Sequence, residues 1–210
     1  MTALMHESPE SAWSISQLDE VVWEVWKAIE LPEGYRAEII EGAIEVSPIG
    51  RLAHARVVNR LRNALLRFLG EGQYASYQGM NVIHQRRGWI PDVIVAPEDL
   101  EPHADEDGLG VNAAAVHVVF EVVSPGKRNQ ERDRIRKLRE YARAGIPVYV
   151  IIDDYHAGGT VTVLTEPRTE DADWVGLHRV PYGTDVIIPE GPAKGFAITE
   201  AITGPARAEK

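Results

Sequence analysis

The sequence predicts an α/β fold: a mixed β-sheet flanked by helices, with an antiparallel N-terminal hairpin and short C-terminal strands. Two observations carry that expectation. The first is the stretch Val116–Ile152, where an apolar run, a Ser-Pro-Gly turn, a charged helix and a second apolar run succeed one another as a strand–helix–strand unit. The second is the character of its first strand. Val116–Val123 is apolar at nearly every position, as in a sheet covered on both faces, rather than alternating as in a half-exposed one. One residue breaks the run. Glu121 places a carboxylate where burial without a partner costs several kcal/mol, or forces the group to neutralise. A metal ion or a lysine would compensate it.

The chain reads as these elements in order. Met1–Pro9 has no periodicity and reads as a tail, with flexible ends expected about residues 1–12 and 204–210. Leu18, Val21, Val22, Val25, Trp26 and Ile29 recur at helical spacing, which predicts a helix over Ser16–Ile29 capped by Ser14 or Ser16, with acids in its early turns. Tyr35–Val46 reads as a hairpin turning at Glu41-Gly42, and Ser47–Gly50 as a loop. Val57, Val58, Leu61, Leu65, Leu66, Phe68 and Leu69 mark a second helix, His54–Leu69, closed by Gly70. Tyr74–His84 and Trp89–Ala96 read as strands around an Arg86-Arg87-Gly88 turn, and acidic Pro97–Asn112 as a surface loop. After the central unit, whose helix is given a packing stripe by Ile135, Leu138 and Ala142 and an end by Gly145, come strands at Val148–Ile152, Thr160–Thr165, Val175–Val180 and Thr184–Ile188. Gly195–Ile202 is a last strand or short helix. Without a repeat or a domain-sized linker, the 210 residues read as one domain.

Composition narrows the function. Without cysteine there is neither a disulfide framework nor a thiolate metal site. No apolar run reaches the ~18 residues of a membrane span, and the first residues lack a secretory pattern, so the expected location is the cytoplasm with no membrane partner. The formal net charge of −10 argues against a polyanionic partner, but the charge is uneven. Arg51–Arg67 holds five arginines and no acid, and Lys127–Arg143 holds eight basic residues against Glu131, Asp133 and Glu140. Such runs are either solvated helix faces or phosphate contacts, for which Arg56, Arg60, Arg128 and Arg132 are the candidates.

The chemistry is carried by acids within apolar strands. Asp92, in Trp89-Ile90-Pro91-Asp92-Val93-Ile94-Val95, is a second carboxylate at the edge of a core strand. Alone it reads as a structural residue, such as a turn cap. Opposite Glu121 it would bind a hard divalent cation such as Mg²⁺ or Mn²⁺, with a backbone carbonyl and waters completing the shell. Lys137 lies about 13 Å along the helix after Ser124, and Glu121 lies about 10 Å back along its strand. The two stand at similar height, and Asp133 and Tyr141, four residues either side of Lys137, share its face. The rotation of that helix decides whether the ammonium meets the carboxylate or the solvent. Trp13, Trp23, Trp26, Trp89 and Trp174 read as packing rather than base-stacking residues.

This ordered set of residues resembles the PD-(D/E)XK nuclease superfamily, and within it the Uma-two family of restriction-endonuclease-like proteins. The matching strings are Glu38-Ile39-Ile40-Glu41-Gly42, Ser47-Pro48 with His54 opening a helix, Pro91-Asp92, and Glu121-Val122-Val123-Ser124-Pro125. Lys137, Tyr141, Gly145 and Asp153 complete the set. The likeness runs from about Tyr35 to Phe196. It implies a restriction-endonuclease-like fold and a Mg²⁺-dependent endodeoxyribonuclease acting on DNA, working as a homodimer. Its catalytic residues would be Glu38, Asp92, Glu121 and Lys137. Asp92, Glu121 and the Val122 carbonyl would hold the metal, with His54 and Tyr141 accessory. The superfamily lysine stands two residues after the glutamate, where this chain has Val123, so the resemblance implies a lysine moved onto the helix. Glu41 competes with Glu38 for the first acidic position. Two other readings fit the same residues: a catalytically silent module binding nucleic acid or protein, and a hydrolase of another phosphate ester.

Overall fold

The protein is described by a computed structural model covering residues 14–207; the N-terminal tail expected over residues 1–12, Trp13, and the last three residues lie outside it. The first helix, α1 (Ile15–Ala28), starts one residue earlier than its apolar spacing indicates because Ser14 is the cap. Ser14 and Gln17 form a reciprocal capping box, with the Gln17 amide on Ser14 Oγ at 3.3 Å and the Ser14 amide on Gln17 Oε1 at 2.8 Å. No acid falls in its first turn. Trp23 and Trp26 anchor α1 on Ala37, Ile39 and Ile83.

Strands β1 (Tyr35–Ile40) and β2 (Ala43–Pro48) form the expected hairpin. Its two turn residues, Glu41 and Gly42, both take positive φ (51° and 77°), as a two-residue turn matched to strand twist requires. Helix α2 (Leu52–Leu69) buries Val57, Val58, Leu61 and Leu65. The two long strands expected next each divide, giving β3 (Tyr74–Tyr77) and β4 (Val82–His84), then β5 (Arg87–Trp89) and β6 (Val93–Pro97). Pro91 has no N–H to offer a ladder, so the chain leaves one sheet after β5 and enters the other at β6. The turn between β4 and β5 is Gln85-Arg86, with Gln85 at φ 54°, so Arg87 and Gly88 belong to the strand rather than the turn. The acidic loop contains the short β7 (Val111–Asn112).

The central unit forms as expected: β8 (Val118–Val122) runs parallel to β9 (Val148–Asp153). Their connection is not a uniform helix. It comprises α3 (Lys127–Glu131), a π-helical turn (Arg132–Arg136) and α4 (Lys137–Arg143), ended by Gly145 at φ 71°. The π turn carries an extra residue per turn and so rotates α4 relative to α3. Ile135 is therefore 47% exposed instead of packing, while Arg132, Asp133, Lys137, Glu140, Tyr141 and Ala142 are buried. The remaining elements are β10 (Thr160–Arg168), β11 (Asp173–Pro181), β12 (Val186–Ile187), β13 (Ala197–Ile198) and α5 (Glu200–Thr203). Residues 204–207 are tied down rather than loose: the Arg207 amide donates to the Gly158 carbonyl and its guanidinium holds Asp154 at 2.9 Å.

Strand order is β2-β1-β5-β4-β7 in one sheet and β11-β10-β9-β8-β6-β3 in the other, with β12-β13 a separate pair. Val118, Phe120 and Val122 pack with the α2 side chains Val57, Val58, Leu61 and Leu65. Val119 packs on the opposite face with Tyr141, Ala142 and Tyr149. Side chains alternate along a strand, so Glu121 projects with Val119 toward α4.

Candidate active site

Glu121 is 1% exposed and meets the compensation its burial demands. Lys137 Nζ lies 2.7 Å from Glu121 Oε1, and the Tyr141 hydroxyl donates to the same oxygen at 2.6 Å. Lys137 is fully buried and also lies 2.8 Å from Glu38 Oε1, so one ammonium links β8 to β1. Glu38 in turn accepts from the Ile90 amide at 2.8 Å, where the chain leaves β5. Opposite Glu38 in the hairpin register is Glu45. The two carboxylates share a strand face, where like charges repel, and neighbouring cations separate them: Lys137 serves Glu38 while Arg136 serves Glu45. Glu41, the competitor, sits in the turn and binds Arg136 and Arg139, away from Lys137.

Asp92 follows Pro91 at the break between the sheets. Its Oδ2 accepts from the Val122 amide at 2.8 Å and pairs with His54 Nε2 at 2.9 Å. An extended residue projects its N–H and C=O toward the same edge, so the Val122 carbonyl faces the Asp92 side of β8. His54 lies within the first turn of α2 and neither caps that helix nor reaches outward; it buttresses Asp92. Glu121, Lys137, Glu38 and Tyr141 thus form one bonded group and Asp92 with His54 a second, and the two meet at β8, where the amide of Val122, next to Glu121, donates to Asp92.

One cation departs from its expected role and another is unforeseen. Arg132 is 5% exposed and binds Asp133 through Nε at 2.8 Å, because the π turn directs it inward; it is not a surface phosphate contact. Arg56, Arg60 and Arg128 are exposed. Arg36, absent from the sequence-based set, stands 3.8 Å from Glu38 and 3.9 Å from Asp92. A period-two reading would have found it, since Arg36 and Glu38 share a face of β1. A cleft of about 260 Å³ lined by Tyr35, Arg36, Gly50, His54, Gly79 and Asp92 leads from solvent to these residues. Trp23, Trp26, Trp89 and Trp174 are buried packing residues, as expected.

The electrostatics divide the acids. Burial pushes the Glu121 carboxyl up to about 7; Lys137 pulls the other way, and the charges of Asp92, Asp133 and Glu38 add to the rise. Burial also acts to raise Glu38, but Lys137, Arg36 and Arg132 outweigh it and hold that carboxyl below its usual range. Asp92 is likewise held low against burial by His54, Arg36 and the Val122 amide. Burial would lower His54, and its bond to Asp92 reverses this.

Hard oxygen donors at Asp92, Glu121 and the Val122 carbonyl suit Mg²⁺ or Mn²⁺, which keep several waters when few protein ligands are offered. Both bonds to Glu121 fall on Oε1, so Oε2 carries neither. Among the described residues no group of three or more His, Asp or Glu side chains converges as a metal cage.

A mixed sheet flanked by helices, with acids at a sheet break and a lysine against them, defines the class: a nuclease-like fold. The family model for Uma2, described as "Putative restriction endonuclease", matches residues 23–200, and the chain belongs to that family. No curated protein matches it. Among solved structures, a "putative nuclease belonging to DUF820" from Anabaena variabilis ATCC 29413 superposes with a TM-score of 0.64 over 86% of this chain and 96% of that one. At 14% identity the likeness is one of fold. No helix among the described residues is long and apolar enough to cross a membrane.

Proposed function

We propose that the protein is an endonuclease-like phosphodiesterase that hydrolyses the DNA backbone with Mg²⁺ or Mn²⁺. The observation that carries this reading is the buried Lys137 ammonium held between Glu121 and Glu38, with Asp92 bonded to the amide of Val122, the residue after Glu121. Asp92, Glu121 and the Val122 carbonyl would hold the ion, with Glu38 contributing directly or through water. Bound there, the ion supplies Lewis acidity toward the phosphate and acidifies a coordinated water.

The chain's own residues do the rest. An ammonium has three N–H donors; Glu38 and Glu121 engage two, leaving one to orient a water or meet charge developing on the phosphoryl oxygens. Tyr141 fixes the Glu121 carboxylate, and His54 fixes Asp92. The exposed Arg56, Arg60 and Arg128 would hold phosphates away from the reacting bond. A homodimer would bring two such sites to two strands.

A silent binding module is the second reading, favoured by the double pairing of Lys137 and by the net charge of −10. Calorimetric titration with Mg²⁺ or Mn²⁺, together with a plasmid-nicking assay, separates them. The nuclease reading expects metal binding lost in Asp92→Ala and Glu121→Ala, and nicking lost in Lys137→Ala. Metal binding indifferent to both carboxylates, or nicking at the parent rate without Lys137, would refute it.

A further inference from the structure

Arg36 has a feature that its ion pairs do not explain. Among the described residues its buried Nε has no hydrogen-bond partner, and its side chain is only 19% exposed. Buried donors in native proteins are almost always satisfied, and an orphaned one calls for a reason. The guanidinium is near Glu38 and Asp92 but at 3.8 and 3.9 Å is bonded to neither; its one hydrogen bond among the described residues runs from Nη1 to the Ile90 carbonyl at 3.3 Å. Burial acts to lower its pKa, and the Glu38 and Asp92 charges more than restore it, so the group stays cationic. The same residue lines the cleft beside Asp92, with Gly50 and Gly79 among the walls and half-exposed Tyr35 beside it.

We propose that Arg36 is the docking group for a nucleic-acid phosphate in this cleft. The inference deepens the reading of the protein as a phosphodiesterase and rests on it for the identity of the substrate. A guanidinium is planar, weakly hydrated and permanently charged, and its fork of donors matches phosphate oxygens. Here the guanidinium is carried by β1 and held by the Ile90 carbonyl while its buried Nε–H is unspent. Neutralising Glu38 and Asp92 alone would need only charge, which a lysine supplies; donation from Nε needs the guanidinium. Glycines in the cleft wall permit a sugar-phosphate backbone to approach closely, and Tyr35 offers an aromatic face to an adjacent base.

The experiment compares the full chain with Arg36→Lys and Arg36→Gln in two assays. In plasmid nicking, Arg36→Gln is expected to lower kcat/KM about 10²-fold, with KM raised, and Arg36→Lys to recover only part of that loss. In calorimetry with a short single-stranded oligonucleotide, and separately with inorganic phosphate, Arg36→Gln is expected to bind more weakly and to lose about one phosphate contact from its salt dependence. Thermal melts identify a variant that fails to fold, in which case Arg36→Lys carries the comparison. Parent-level oligonucleotide and phosphate affinity in Arg36→Lys together with Arg36→Gln would overturn the proposal. A parent protein that does not nick DNA yet binds phosphate through Arg36 would retain this site while removing the nuclease reading. Nicking by the parent that is indifferent to Arg36 would remove this site alone.

Discussion

Replacing Lys137 with methionine removes one charge and leaves two buried carboxylates facing each other. Lys137 is fully buried and bonds Glu121 at 2.7 Å and Glu38 at 2.8 Å, so bulk solvent does not take the place of the lost ammonium. Removing one partner of a buried pair costs about 3–5 kcal/mol, because the remaining charge stays desolvated. In a chain of this size each kcal/mol moves Tm by roughly 2–4 °C, so the expected drop is about 6–20 °C at pH 8. The pH dependence has a definite sign. Glu38 is held low in the parent against burial chiefly by Lys137; a depressed carboxyl stabilises above its unfolded pKa and loses that contribution as pH falls through its folded pKa. Without the lysine both acids take up protons more readily, so the deficit of Lys137→Met should be largest at pH 8 and shrink on acidification. Circular dichroism melts at pH 5, 6, 7 and 8 measure it. A variant melting within about 2 °C of the parent at pH 8, less than one kcal/mol is worth, or one whose deficit grows toward pH 5, would refute the reasoning.

Further expectations concern the other members of the cluster. Glu121 titrates near 7 in the folded protein against a usual 4.5. Its protonated form is therefore favoured by the fold, and stability falls as pH rises from about 4.5 to about 7, by about 3 kcal/mol; Glu121→Gln should flatten that decline, and an unchanged slope would contradict the placement. Because binding an ion requires the carboxylate, Mg²⁺ affinity should rise through the same window with proton release, measurable by calorimetry in buffers of different ionisation enthalpy. Gly50→Ala places a Cβ against the His54 ring, which cannot move without loosening Asp92; a loss of about 1–3 kcal/mol and weaker Mg²⁺ binding are expected, and a parent-like titration would count against His54 as the buttress. Glu41→Ala should leave metal binding unchanged while Glu38→Gln weakens it, and the reverse result would exchange the two assignments.

The parts of the fold legible in the sequence are those set by periodicity and punctuation. The β8–β9 unit, the Glu41-Gly42 turn and the α2 stripe all come from spacing and from residues tolerant of positive φ. Glu121 stands out because an apolar run buried on both faces has no cheap place for a carboxylate. Its pairing with Lys137 is legible only as a matter of height, since helix rotation depends on packing between elements. The division of β5 from β6 is hidden because Pro91 lies inside a stretch apolar enough to read as one strand. The π turn is hidden because a 3.6-residue period has no place for it, which is why spacing assigns Ile135 to the core and Arg132 to the surface. The period-two rule puts Arg36 on the Glu38 face of β1, but a charged residue in a strand is common, and the nearness of Asp92 that makes this one unusual depends on packing between elements.

The bond that Lys137 makes to Glu38 has a consequence for the order in which the chain folds. Glu121 and Lys137 are 16 positions apart, within one strand–helix unit, whereas Glu38 precedes Lys137 by 99 positions. Closing that distance carries a large loop entropy, which must be met before the contact returns anything. The local pair can assemble with the β8–α4 unit, but the second half of the site forms only once the N-terminal hairpin has docked. Stabilisation gained after the rate-limiting step acts on escape from the native state rather than on entry. The Glu38–Lys137 bond therefore works as a latch on unfolding: its loss should quicken the opening of the protein while leaving the speed of refolding nearly untouched.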